Sequence, residues 1–167
     1  KRYKESLART GEPILLSQCP NVKMDLKGLK INFLGDSITF GAQVQPDEIF
    51  HAVLKEEVGL AEARNYGIGG TRYALQTTKD GWRMDDVVDV NSFCERYDQM
   101  DDDADMVVVF GGTNDYGHGN AELGTPEDRT ADTFYGACHV LFSGLIKKYL
   151  GKPIIIMTPT HRTGEMN

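Results

Sequence analysis

The chain predicts an α/β fold built on a parallel sheet, and three observations carry that expectation. Short apolar runs of strand length alternate with segments of helical period, the pattern of strands joined by crossover helices. Several of those runs end in glycine followed by small polar residues, and in an open parallel sheet the ligand crevice lies outside the carboxyl ends of the strands. Finally, 167 residues with 40% hydrophobic and 26% charged side chains are ordinary globular usage, enough to bury one core.

Taken in order, residues 30–35 form the first strand and stop at Gly35-Asp36-Ser37. Pro46-Asp47-Glu48 opens a helix on which Ile49, Phe50, Val53, Leu54 and Val58 share a face, and Gly59 closes it. A second short strand ends at Asn65-Tyr66, followed by Gly67-Ile68-Gly69-Gly70-Thr71. After Gly70 come a short helical stretch, an irregular loop at Gly81-Trp82-Arg83, and a helix near Ser92 to Met100. Asp101, Asp102 and Asp103 read as a solvated run ahead of the third strand, with metal binding the minor alternative; that strand ends at Phe110. From about Ala131 to Leu150 the apolar residues Phe134, Ala137, Cys138, Leu141, Phe142, Leu145, Ile146 and Tyr149 recur at helical spacing, marking a core helix stopped by Gly151 and Pro153. Ile154 to Met157 is the fourth strand, delivering Thr158-Pro159-Thr160-His161-Arg162 to the same crevice. Residues 1–26 carry no motif and read as an amino-terminal extension packing on a domain of residues 27–167.

Three strand ends carry the chemistry: Gly35-Asp36-Ser37-Ile38-Thr39, the block around Gly70, and Gly112-Thr113-Asn114-Asp115. In these residues, their order and their spacing, the chain resembles the SGNH hydrolase superfamily, the GDSL-type esterases and lipases, over roughly residues 30–160. The resemblance implies a three-layer α/β/α sandwich around a parallel, flavodoxin-like sheet. It also implies a serine esterase or acylhydrolase with Ser37 as nucleophile and an oxyanion hole made by the Ser37 and Gly70 backbone N–H groups and the Asn114 side-chain amide. The residue types suit that chemistry: negative charge develops on the carbonyl oxygen under attack, and fixed donors stabilise it without reorganising. Glycine lets backbone approach the substrate, and a carboxamide donates without changing protonation state. Asp36, Thr113, Asp115 and His161 are the candidate substrate-binding residues, although Asp36 reads first as fixing its turn by accepting backbone N–H groups and His161 first as a loop histidine bonded to backbone.

A serine needs an adjacent base, usually a histidine oriented by a carboxylate. In the family that pair comes from an Asp-x-x-His block near the carboxyl terminus, and none occurs there in this sequence. The single Asp-x-x-His is Asp115-Tyr116-Gly117-His118, directly after the third block, which reads as coincidence; His118 is then a solvated or substrate-contacting loop residue. The expectation is a domain truncated at its carboxyl end, with a fifth strand, a last helix and the base to follow.

Charge and composition narrow the partners. A net charge of −7 disfavours nucleic acid and, at long range, acidic substrates. No apolar run approaches the roughly 20 residues of a membrane span. Cys19, Cys94 and Cys138 form neither a disulfide framework nor a zinc pattern and read as buried free thiols, which favours a reducing, cytoplasmic compartment, or secretion if a signal peptide was removed. His51 and His139 sit in predicted helices without a second ligand at metal spacing, so neither metal nor cofactor is expected. The partial glycine pattern of residues 67–70 has Arg72 where a dinucleotide fingerprint needs glycine, and no Gly-x-Ser-x-Gly elbow occurs. Tyr73, Trp82 and Arg83 either wall a substrate pocket or cover the sheet edge. The favoured substrate is an ester of a short acyl group, such as acetyl on a sugar. A domain that binds a glycan or acyl ligand without turnover is the competing reading, and a flavodoxin-like receiver or cofactor domain a more distant one.

Overall fold

The computed structural model describes residues 24–75, 92–117 and 122–159. Four strands, β1 (Lys30–Gly35), β2 (Glu62–Gly67), β3 (Met106–Phe110) and β4 (Ile154–Met157), form one wholly parallel sheet in the order β2-β1-β3-β4. The two central strands are covered on both faces, as parallel strands usually are, and β3, Met-Val-Val-Val-Phe, is buried at every residue. On one face, Ile31, Phe33, Met106 and Val108 pack with Leu60 against Phe50, Leu54 and Val58 of helix α2 (Phe50–Val58), which follows the short α1 (Ser37–Phe40). On the other, Leu34, Val107 and Val109 meet Phe93 of α3 (Phe93–Arg96) and Ala137, Leu141 and Leu145 of α5 (Phe134–Lys148). A further short helix, α4 (Thr113–Gly117), follows β3. The architecture is therefore the three-layer α/β/α sandwich expected from the sequence.

Several boundaries differ for local reasons. The stretch at Pro46–Glu48 is a separate 3-10 turn, because Ile49 takes an extended conformation (φ −66°, ψ 132°) before α2 begins. Gly59 caps α2 in the left-handed region at φ 71°, where glycine has no Cβ penalty. α5 begins at Phe134 rather than near Ala131, since the Thr133 hydroxyl caps it by accepting the Gly136 N–H. The helix expected up to Met100 is shorter, α3 giving way to a 3-10 turn at Tyr97–Gln99.

The aspartate run is ion-paired as well as solvated. Arg64 meets Asp101 at 3.4 Å and Asp103 at 2.5 Å, Lys30 meets Asp103 at 2.7 Å, and Lys148 meets Asp102. Asn32, buried within β1, and Tyr149 both donate to the Asp101 carbonyl, at 2.9 Å each, anchoring the run at the amino end of the sheet. Among the described residues no group of three His, Cys, Asp or Glu could hold a metal ion, and no helix is long and apolar enough to cross a membrane. Cys94 and Cys138 are free thiols packed against the core, and burial pushes them up to about 12 and about 11. Cys19 and most of the expected amino-terminal extension lie outside the described residues.

Candidate active site

The parallel register brings the three blocks level with one another. Gly35 pairs with Gly67 of β2 on one side and with Phe110 of β3 on the other, so Ser37, the Gly70 turn and Asn114 all leave the same end of the sheet.

Ser37 is the first residue of α1. Asp36 caps that turn, its Oδ1 accepting the Ile38 N–H at 2.9 Å, while the Phe40 N–H reaches the Asp36 carbonyl at 2.9 Å. The neighbourhood is too tight for other residues at two positions. A Cβ on Gly35 would lie 1.9 Å from Thr39 Oγ1 and 2.9 Å from the Phe110 carbonyl oxygen, and one on Gly67 would lie 2.2 Å from the Phe40 backbone nitrogen. These two glycines let α1 sit directly on the ends of β1 and β2. Ser37 itself is half-buried, and Ile38, Phe40 and Ile68 are exposed apolar residues in the segments beside it.

The second block folds as a turn closed on Ile68, whose carbonyl accepts the Thr71 N–H at 3.4 Å and the Thr71 hydroxyl at 2.7 Å. Gly70, at φ 75°, occupies the position of that turn that needs positive φ. The Gly69 backbone comes close to the nucleophile candidate: a Cβ there would stand 3.9 Å from Ser37 Cβ. The third block joins the second through Asn114, buried at the start of α4, whose Nδ2 donates to the Thr71 carbonyl at 2.7 Å. This bond fixes the orientation of the carboxamide relative to the Gly70 turn.

Two of the candidate substrate-binding residues turn inward. Asp115 accepts the Tyr73 and Ala74 N–H groups, each at 3.0 Å, through its two carboxylate oxygens, and is 7% exposed. Asp36 is 1% exposed and spends one oxygen on the Ile38 amide. Burial raises the pKa of both carboxyls, opposed by the amides that they accept. Their geometry holds turns, the alternative open for Asp36 from the sequence. Thr113, half-buried, opens α4 beside Asn114, while His161 and His118 lie outside the described residues, as do Trp82 and Arg83. Tyr73 does not wall a pocket: it is buried, stacked on Phe134 at 5.8 Å and edge-on to Phe93 at 4.9 Å. His51 is buried with Nε2 at 3.1 Å from the Thr39 carbonyl of α1, and burial lowers its pKa.

Sequence reasoning missed Arg96 and Thr71. Arg96 is 6% exposed and donates to the Tyr66 carbonyl at 2.5 Å, the Gly35 carbonyl at 2.7 Å and Thr71 Oγ1 at 3.1 Å, with its guanidinium carbon 4.7 Å from the Phe93 ring centroid. Burial lowers its pKa to about 10, with Asp36 opposing. The available signal was Phe93 three residues before Arg96, which puts the arginine on the core-facing side of a helix.

The serine, the glycine turn and the carboxamide thus stand at adjoining strand ends of a parallel three-layer sandwich. The chain belongs to the GDSL-like lipase/acylhydrolase family, whose model matches residues 33–165. It is similar in structure to a protein from Lactobacillus plantarum, with 27% identity, a TM-score of 0.68 and coverage of 83% of this chain and 59% of that one. It also resembles a Bacteroides uniformis protein assigned as a GDSL-like lipase, at 21% identity, TM-score 0.64, and coverage of 78% and 71% of the two chains. The fold extends to a family two carbohydrate esterase from Clostridium thermocellum, solved with cellohexaose, at 18% identity, TM-score 0.53, and coverage of 78% and 43%. The chain thus spans 59% of the length of the Lactobacillus protein. No curated protein matches it.

Proposed function

We propose that this chain carries the nucleophile and oxyanion hole of a serine esterase, with Ser37 forming the acyl-enzyme. The observation that carries the reading is the Asn114 to Thr71 bond at 2.7 Å, which ties the third block to the residue after Gly70 while Gly69 approaches Ser37. In this mechanism Ser37 Oγ attacks the ester carbonyl, and the oxygen that gains charge is held by the Ser37 and Gly70 N–H groups and the Asn114 side-chain amide. Collapse expels the alcohol and leaves the acyl group on Ser37, which water then removes. The general base that takes the Ser37 proton is not assigned to a residue, since the described histidine beneath α1, His51, is committed to the Thr39 carbonyl.

The substrate proposed is an ester of a short acyl group, with a carbohydrate as the alcohol. Supporting this are the family membership and the carbohydrate esterase that shares the fold. The competing proposal is a domain that binds such a ligand without turnover. A fluorophosphonate probe and p-nitrophenyl acetate separate them in the full chain. Labelling and hydrolysis that vanish in Ser37→Ala support the esterase, whereas wild type indistinguishable from Ser37→Ala in both assays overturns it.

A further inference from the structure

Thr71 and Arg96 form a buried relay that ends on the turn presenting Gly70. The Arg96 guanidinium satisfies the carbonyls of Gly35 and Tyr66, the last turns of β1 and β2, and donates its third bond, at 3.1 Å, to Thr71 Oγ1. That hydroxyl, having accepted from Arg96, gives its own proton to the Ile68 carbonyl at 2.7 Å, closing the four-residue turn in which Gly69 and Gly70 sit. The carbonyl of the same threonine receives Asn114 at 2.7 Å. Thr71 is 0% exposed, and its bonds with Arg96 and Asn114 are buried. Thr71 therefore bonds within the turn carrying Gly70 and to the side chain of Asn114, and through Arg96 it is linked to the end of the strand that precedes Ser37.

We propose that Thr71, held by Arg96, is a positioning residue that sets the Gly70 N–H and the Asn114 amide at a common distance from Ser37; this rests on the esterase reading above. The physical argument is that oxyanion donors work only at about 2.7–3.1 Å from where the charge develops, so a turn that relaxes by a fraction of an ångström weakens the transition state without weakening ground-state binding. The flexibility of a Gly-Gly turn makes such relaxation easy unless something outside the turn fixes it.

The test compares Thr71→Val, which keeps the shape and removes the hydroxyl, with Thr71→Ser, which keeps the hydroxyl, and with Arg96→Lys, whose single ammonium cannot span three acceptors. In the full chain, kcat and KM for p-nitrophenyl acetate are measured beside the NMR resonance of the Gly70 amide. Thr71→Val should lower kcat about tenfold with KM unchanged, less than the 10²–10³ of losing a donor outright. Thr71→Ser should restore it, Arg96→Lys should behave like Thr71→Val, and the Gly70 amide resonance should move in the two impaired variants alone. Equal kcat in Thr71→Val and wild type, or a Thr71→Ser variant as impaired as Thr71→Val, overturns the proposal. Should Thr71→Val not fold, Arg96→Lys against Thr71→Ser gives the same comparison. If wild type shows no Ser37-dependent hydrolysis, the esterase reading and the proposed catalytic effect fail together. A Gly70 resonance that still responds to Thr71 would then show that only the structural coupling survives.

Discussion

Asn114 and Thr71 are joined by a buried hydrogen bond of 2.7 Å from side-chain amide to backbone carbonyl, across 43 positions of sequence. The bond makes the orientation of one candidate oxyanion donor depend on the turn that presents the other.

Replacing Asn114 with alanine removes a donor and also leaves the Thr71 carbonyl without this partner. Under the proposed mechanism, kcat for p-nitrophenyl acetate should fall by about 10²–10³, or about 2.7–4 kcal/mol, with little change in KM. A variant whose loss appears only in KM would show that the amide binds substrate rather than charge.

Asp115 bears on folding more than on chemistry. Asp115→Asn keeps one acceptor oxygen but turns an NH2 group toward the Tyr73 or Ala74 N–H, leaving a buried amide unpaired. Denaturant unfolding should show a loss of about 1–3 kcal/mol. Because burial raises the Asp115 carboxyl above its ordinary 3.8, the native protein holds that proton more tightly than the unfolded chain. Wild-type stability should therefore fall as pH rises from about 3.8 through the folded value, a slope that the asparagine variant lacks in part.

His51 gives the opposite slope. Its pKa is lowered by burial from 6.5, so on acidification the unfolded chain takes up the proton first. The stabilisation present above 6.5 should be lost as pH falls from there through the folded value. Urea midpoints for wild type and His51→Gln, measured between pH 7.5 and 5, should converge or cross as acid is added, since glutamine can donate to the Thr39 carbonyl without titrating. Parallel pH profiles for the two would argue against a buried neutral imidazole.

Much of this was legible in the chain before any coordinates. β1 and β3 announce themselves as short apolar runs because burial on the faces of a parallel sheet leaves few other options; β4 is as apolar a run although Ile155 to Met157 are exposed among the described residues, and α5 is marked by eight apolar positions at helical spacing. The glycine and polar residues at the strand ends marked the site for the same reason. What stayed hidden depends on contacts between distant segments. Arg96 looks like any solvated helix arginine until the carbonyls of Gly35 and Tyr66 are seen to need its protons. Asp115, adjacent to Asn114 in sequence, was a candidate for substrate, yet its carboxylate accepts two backbone amides of a distant segment; the turn-fixing role of Asp36, by contrast, was readable beside Ser37. Tyr73 likewise went to the core because Phe93 and Phe134 make room for its ring.

The exposed trio Ile38, Phe40 and Ile68 stands apart from the buried relay, since each shows more than a third of its surface and their side chains hold none of the bonds that tie the strand ends together. Under the esterase proposal, substitutions at these positions would leave those bonds untouched. If that proposal holds, a mutant library confined to those three positions would sample which molecules are welcomed while inheriting an intact scaffold, a separation that would suit this pole of the sheet to laboratory evolution.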